Sequence, residues 1–119
     1  MTPQNFITQV HSVVVQQNLS IYKDLFESTT PDSANDPYWN RALALHHSLN
    51  DADRIVLYEI MRQVTVDTVS NLFGILDGVS ALGGPHEDFM LTSQPDKQKL
   101  NGNLQDLFLE TEEKGGQYN

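Results

Sequence analysis

From residue 3 to residue 76 the apolar positions recur at helical spacing, and beyond that point the rhythm is lost. The spacing predicts a first helix over residues 3–27. Thr2 caps it and Pro3 takes its first position, where a missing N–H costs nothing. Phe6, Val10, Val13 and Val14 form its apolar stripe, and Ile21 and Leu25 continue it after a polar gap at Gln16 to Asn18. The β-branched run Val13-Val14-Val15 could be read as strand, but length and amphipathic period favour helix. Ser28 to Asn35 has the composition of a loop. Asp36-Pro37 opens a second helix through Tyr38, Trp39, Leu43 and Leu45 to about His47. Asn50 or Asp51 caps a third, with Asp51 and Asp53 in its first turn, as the helix dipole favours. From Asp53 to Leu76 this third helix carries Val56, Leu57, Ile60, Met61, Val64, Val69, Leu72, Phe73 and Leu76. Apolar residues on more than one stripe predict a helix packed on several sides. Asp77-Gly78 ends it, with Gly78 as the left-handed C′ residue, and Gly83-Gly84-Pro85 forbids continuation.

The remainder changes character. Phe89 to Thr92 is short and apolar, and Gln94 to Lys99 is polar with a proline. Together they predict a hairpin of residues 88–93 and 97–101, or an extended segment. Asn103 caps a last short helix, Leu104 to Glu113, with Leu104, Leu107 and Phe108 as its apolar face. The fold expected is mainly α: a three-helix core with a long central helix, then the short hairpin and a short C-terminal helix. It forms one domain, residues 1–114, with a flexible tail at 115–119.

Charge changes the picture more than composition does. Sixteen Asp and Glu stand against seven Lys and Arg, a formal charge of -9. Nucleic acid and anionic membrane surfaces are disfavoured as partners, since the only local basic cluster is Lys97 and Lys99. An acidic surface instead steers toward basic partners. With no cysteine, disulfides, thiolate metal sites and a cysteine nucleophile are excluded. No stretch approaches the length of a membrane span, and the apolar run at Val13 to Val15 is too short for a signal peptide, so cytoplasm is the default.

Candidate chemistry is sparse. His46 and His47 are adjacent and point about 100° apart on a helix, so they cannot chelate one metal together. His46 with Asn50, or His47 with Asp51, has ligand-pair spacing, and His11 or His86 would have to supply a third ligand. A structural role at the end of the second helix is the stronger reading for both histidines. His86-Glu87-Asp88 reads as an exposed loop after Gly-Gly-Pro. Asp67 and Asn71 lie one turn apart on the most apolar helix. They line a pocket or bond a neighbouring loop, the latter being favoured, and Asp77 belongs to the Asp-Gly turn. No nucleophile elbow, phosphate-binding loop or dinucleotide fingerprint is present. Trp39, Tyr38 and Tyr58 suit a core, and Trp39 also suits an interface anchor. No catalytic, cofactor or metal residue is assigned.

The run Leu72-Phe73-Gly74-Ile75-Leu76-Asp77-Gly78, followed by Leu104-Gln105-Asp106-Leu107-Phe108, resembles a loose group of small, uncharacterised bacterial helical proteins. In these a long helix ends in Phe-Gly-x-Leu-Asp-Gly and a Leu-x-Asp-Leu-Phe helix follows. The likeness covers roughly the C-terminal half. In size, acidity and organisation the chain is also similar in type to bacterial toxin-immunity proteins. With the acidic charge and the absence of catalytic motifs, the expectation is a non-enzymatic acidic binding protein, immunity-protein-like in type, that occludes a basic protein partner. Trp39 would anchor the partner, and Asp51, Asp53, Glu59, Glu87 and Asp88 would steer it. The competing expectations are a small metal-dependent hydrolase using His46, His47, Asp67 or His86, and a purely structural homodimer.

Overall fold

The helix starts follow the capping chemistry of the sequence. Thr2 Oγ1 accepts the Asn5 N–H at 3.1 Å and Pro3 opens α1 (Pro3–Val10). The helix continues unbroken through a π-helical segment (His11–Gln17) into α2 (Asn18–Ser28). The computed structural model describes every residue except 34, 85, 86 and 117–119. Asp36 Oδ1 accepts the Tyr38 N–H at 2.9 Å to start α3 (Pro37–Ser48). Asn50 Oδ1 accepts the Asp53 N–H at 2.8 Å to start α4 (Asp51–Leu76). The last element is α5 (Leu104–Gly116), which extends past the end at Glu113 that the sequence suggested. The fold is mainly α, and no strand occurs among the described residues.

The continuous α1–α2 rod runs antiparallel to α4. At one end Phe6 meets Phe73 edge-on at 6.2 Å, and at the other the Lys23 ammonium sits 5.2 Å from the Tyr58 ring centre. α5 lies across α1 and the C-terminal half of α4. The core gathers at this junction: Ile7, Val15, Val66, Phe73, Leu104 and Phe108 are all buried. Each such side chain contributes roughly 1.5–3 kcal/mol on burial. One clasp joins all three helices. Arg62 on α4 donates both Nε and Nη2 to the Glu112 carboxylate on α5, at 3.0 and 2.6 Å. His11 Nε2 lies 3.0 Å from the same carboxylate.

Two expectations need correction. The inward face of the first helix is only in part Phe6, Val10, Val13, Val14, Ile21 and Leu25: Phe6 and Val10 pack against the core, but the fully buried positions are others. Ile7, His11, Val15 and Phe26 are buried instead, while Val13, Ile21 and Leu25 are exposed. The wider π turn, with its i→i+5 bonding, cancels the drift that an α-helix gives residues four apart. Ile7, His11, Val15 and Leu19 therefore stay on one face.

The central helix is packed on several sides, by α5 and by the π-helical and α2 parts of the first rod, yet Val56, Ile60, Val64 and Leu72 remain 50%, 56%, 60% and 55% exposed on the flank left open.

The hairpin of residues 88–93 and 97–101 is reduced to one antiparallel bridge, Thr92 with Lys99. Ser93 N–H reaches the Gln98 carbonyl at 3.0 Å, and Leu100 N–H reaches the Leu91 carbonyl at 2.8 Å. There the ladder stops, because the Asn101 side chain takes the partners that it would need. Its Oδ1 accepts the Leu91 N–H at 2.7 Å, and its Nδ2 donates to the Phe89 and Leu76 carbonyls at 2.8 and 2.6 Å.

Gly78 does close α4 in the left-handed region, with φ +80°. Asp77 does more than turn the chain. Its two carboxylate oxygens accept the Gly102 and Gln105 N–H groups at 2.6 and 2.8 Å, so the end of α4 caps the start of α5. The molecule is open for its length. Its radius of gyration is 17.7 Å, against about 13.5 Å for a compact chain of this size.

Candidate protein-docking surface

At the end of the molecule away from α5, α2, α3 and the start of α4 meet through stacked rings, with Leu43 of α3 buried as well. His46 stacks on Phe26 at 5.0 Å with 13° between planes. Trp39 stacks on Tyr22 at 5.8 Å, lies 6.1 Å from Phe26 and receives Tyr38 edge-on at 5.7 Å. Trp39 is half-buried, so its body holds α3 to α2 while part of its surface faces outward.

The two adjacent histidines both serve this scaffold. His46 is buried, and its Nε2 lies 2.8 Å from Tyr58 Oη, which also hydrogen-bonds Glu27. The arrangement that satisfies both contacts has His46 Nε2–H donating to Tyr58 Oη and Tyr58 O–H donating to the Glu27 carboxylate. His46 Nδ1 is then a buried acceptor without a partner. Burial, with the charge of Arg54 and the neighbouring His47, holds the His46 imidazole below its ordinary pKa, against the opposing pull of Glu27. Burial and the nearby Glu27 push the Tyr58 phenol up. His47 Nε2 reaches the Thr29 carbonyl at 3.3 Å. Arg54 donates to the His46 and His47 carbonyls at 2.9 and 3.2 Å, filling acceptors that the end of α3 leaves open. These side chains do not converge on a metal: among the described residues no group of three or more His, Asp and Glu could hold one. His86 lies outside the described residues. Asp67 and Asn71 are exposed on α4. Asp67 Oδ1 accepts from Gln63 Nε2 at 2.9 Å one turn back on the same helix, not from a neighbouring loop as the favoured expectation had it.

What this end presents to solvent is apolar surface among acids. Ile21 and Leu25, one turn apart on α2, are exposed, as are Tyr38 and Leu45 on one face of α3. On the same elements the acids Asp24, Glu27, Asp36, Asp51 and Asp53 are exposed, as are the cations Lys23 and Arg41. The Asp51 carboxylate is fully solvated and touches only Arg54, at 3.7 Å. Glu59 lies one step further along, beside an open groove between α2 and α4 that Leu19, Lys23, Ile55 and Tyr58 also line. Of the partner-binding residues expected from sequence, Trp39, Asp51, Asp53 and Glu59 thus share one end. Glu87 and Asp88 do not. Glu87 sits beside Ile75 and Phe89 past the C-terminus of α4, a helix roughly 39 Å long at 1.5 Å per residue. The sequence pattern missed Ile21, Leu25 and Leu45 as surface residues. The cue was available in Phe26, which competes with Leu25 for the inward face.

No family model, curated protein or solved structure matches this chain. No helix among the described residues is long and apolar enough to cross a membrane.

Proposed function

We propose that this chain is a non-enzymatic protein-binding module that occludes a basic protein partner, in the manner of an immunity protein or inhibitor acting in the cytoplasm. The observation that carries the reading is the exposure of large apolar side chains at the α2–α3 end on elements where acids outnumber bases. Tyr38, Leu45, Ile21 and Leu25 are exposed there beside Asp24, Asp36, Asp51 and Asp53. Stable interfaces combine a desolvated apolar centre with a polar rim, and a chain of charge -9 draws cationic surfaces toward it. The partly open Trp39, braced by three rings, is a rigid anchor with little ordering cost on binding. His46 and His47, two of the histidines that a hydrolytic reading would use, are engaged in holding α3, which favours binding over catalysis.

The test is affinity capture of the tagged chain from its native lysate at low and at moderate salt, read by mass spectrometry. The reading expects one basic protein in stoichiometric amount, lost as salt rises and lost with Tyr38→Ala plus Leu45→Ala. An empty capture, or a partner retained by that variant, would refute it.

A further inference from the structure

The chain has one Asn-Gly pair, Asn101-Gly102, and one Asp-Gly pair, Asp77-Gly78, and the fold sets them against each other. Both pairs are prone to one reaction. The glycine nitrogen attacks the side-chain carbonyl carbon of the preceding residue, and glycine has no Cβ to hinder the approach. At Asn101 a bond forms between Gly102 N and Asn101 Cγ, and the Cγ–Nδ2 bond breaks with release of ammonia. Water then opens the resulting succinimide ring at one carbonyl or the other. The product is aspartate, or isoaspartate, in which the main chain runs through Cβ.

The atoms that this reaction needs are all held in the folded chain. The nucleophile, the Gly102 N–H, donates to Asp77 Oδ1 at 2.6 Å. A carboxylate at that position opposes loss of the proton that the attack requires. The electrophile is held as firmly. Asn101 is 8% exposed, and its Oδ1 accepts the Leu91 N–H at 2.7 Å. Its Nδ2, the leaving group, donates to the Leu76 and Phe89 carbonyls at 2.6 and 2.8 Å. The facing pair is closed in the same way. The Gly78 N–H donates to the Ile75 carbonyl at 3.1 Å, and the Asp77 carboxylate is taken by the Gly102 and Gln105 N–H groups. Other asparagines, such as Asn5 before Phe6 and Asn103 before Leu104, precede side chains that hinder the attack.

We propose that Asn101-Gly102 is a latent deamidation site, blocked while α4 and α5 are joined through Asp77 and converted irreversibly in chains whose junction opens. Opening need not be global. Residues 88–101 carry one antiparallel bridge and no strand, and segments held so lightly open at less than the cost of unfolding. Either product hinders closure. An aspartate turns an anion toward the Leu76 and Phe89 carbonyls. An isoaspartate lengthens the main chain by one atom between Leu100 and Gly102, whose N–H groups must reach Leu91 and Asp77 together. Each opening therefore risks a covalent change that keeps the junction open. The site lies past the C-terminus of α4, so the proposal does not rest on the docking surface at the α2–α3 end.

The test is peptide mass spectrometry of the purified full chain, incubated at matched pH and temperature in buffer and in urea. The Gly102 bond to Asp77 and the three bonds of Asn101 must break before attack. Conversion in buffer is therefore expected to be about a hundredfold or more slower than in urea. In urea Asn5 and Asn103 are expected to convert far more slowly than Asn101. Asp77→Ala frees the Gly102 N–H and is expected to speed conversion in buffer about tenfold. Glu112→Gln, a destabilisation of similar size that leaves Gly102 untouched, is expected to keep the wild-type rate. Chains converted in urea and refolded are expected to exchange the amide hydrogens in the first turn of α5 faster than unconverted chains. Equal conversion in buffer and in urea would overturn the proposal, as would equal acceleration by Glu112→Gln and Asp77→Ala. Identical exchange in converted and unconverted chains would also overturn it, because conversion would then leave the junction closed.

Discussion

Replacing Asn101 removes a buried side chain that ties the irregular segment to the end of α4, and the cost can be worked from its contacts. Asn101 is buried and makes three hydrogen bonds: one accepted from the Leu91 N–H at 2.7 Å, and two donated, to the Leu76 carbonyl at 2.6 Å and the Phe89 carbonyl at 2.8 Å. Each is worth about 0.5–1.5 kcal/mol net, and a buried group left unpaired costs about 1–3 kcal/mol. Leu76 and Leu91 are half-buried and Phe89 is exposed, so water repairs part of the loss. The sum for Asn101→Ala is about 2–4 kcal/mol, a fall of roughly 10–15 °C in Tm for a chain of this length.

Asn101→Asp keeps the shape and the acceptor but turns an anion toward two carbonyl oxygens. It is expected to cost at least as much at neutral pH. The fold raises the pKa of the new carboxyl, so its protonated form is the favoured one. The difference from wild type, measured at each pH, is therefore expected to shrink as pH falls toward the ordinary carboxylate range and to grow as pH rises through the raised value. Urea unfolding followed by circular dichroism measures both. A loss below about 0.5 kcal/mol for Asn101→Ala, within the range of ordinary surface substitutions, would refute this reasoning.

The remaining predictions concern the clasp, the caps and pH. Glu112→Gln keeps the shape of the clasp but loses its charge-assisted bonds to Arg62 and His11, and is expected to cost about 1–3 kcal/mol in urea unfolding. Asp77→Ala uncaps α5 and is expected to cost about 1–2 kcal/mol, with earlier hydrogen exchange in the first turn of α5 than in α4. His46 has a lowered folded pKa, so the stability it confers is complete above its ordinary 6.5 and is lost as pH falls through the folded value. Burial alone would raise Glu112, but hydrogen bonds and charge from Arg62 and His11 outweigh it and hold the carboxyl low. Its contribution is therefore present above about 4.5 and lost below, giving a second acid step. His46→Phe combined with Tyr58→Phe removes both hydrogen-bonding partners at once, and is expected to abolish the first step at little cost in stability at neutral pH.

Those elements that local chemistry decides were legible in the sequence. Thr2-Pro3, Asp36-Pro37 and Asn50 start helices where capping rules place them, and Gly78 ends α4 where a left-handed residue is needed. What failed was everything settled by a distant partner. The inward face of the first helix depends on a π turn, and on burying His11, a polar residue that only Glu112, about a hundred positions later, makes tolerable. The hairpin had the right composition but lost its pairing to one asparagine side chain. The richness of α4 in apolar residues was read correctly, yet richness cannot say whether a flank is covered. The first rod and α5 cover other flanks and leave the Val56–Leu72 row open. In the candidate docking surface, Trp39, Asp51, Asp53 and Glu59 were named from type and position alone, and the structure adds that they lie at one end of the molecule. Glu87 and Asp88 could not be separated from them without the length of α4.

The measurement that tests the central claim most directly is the association rate of the captured basic partner across a range of ionic strength, for wild type and for Asp51→Asn with Asp53→Asn. The account predicts a rate that falls as salt rises, a shallower salt dependence for the doubly neutralised chain, and no change for Glu87→Gln at the far end. A rate indifferent to salt, or one lowered equally by Glu87→Gln, would contradict steering to the α2–α3 end.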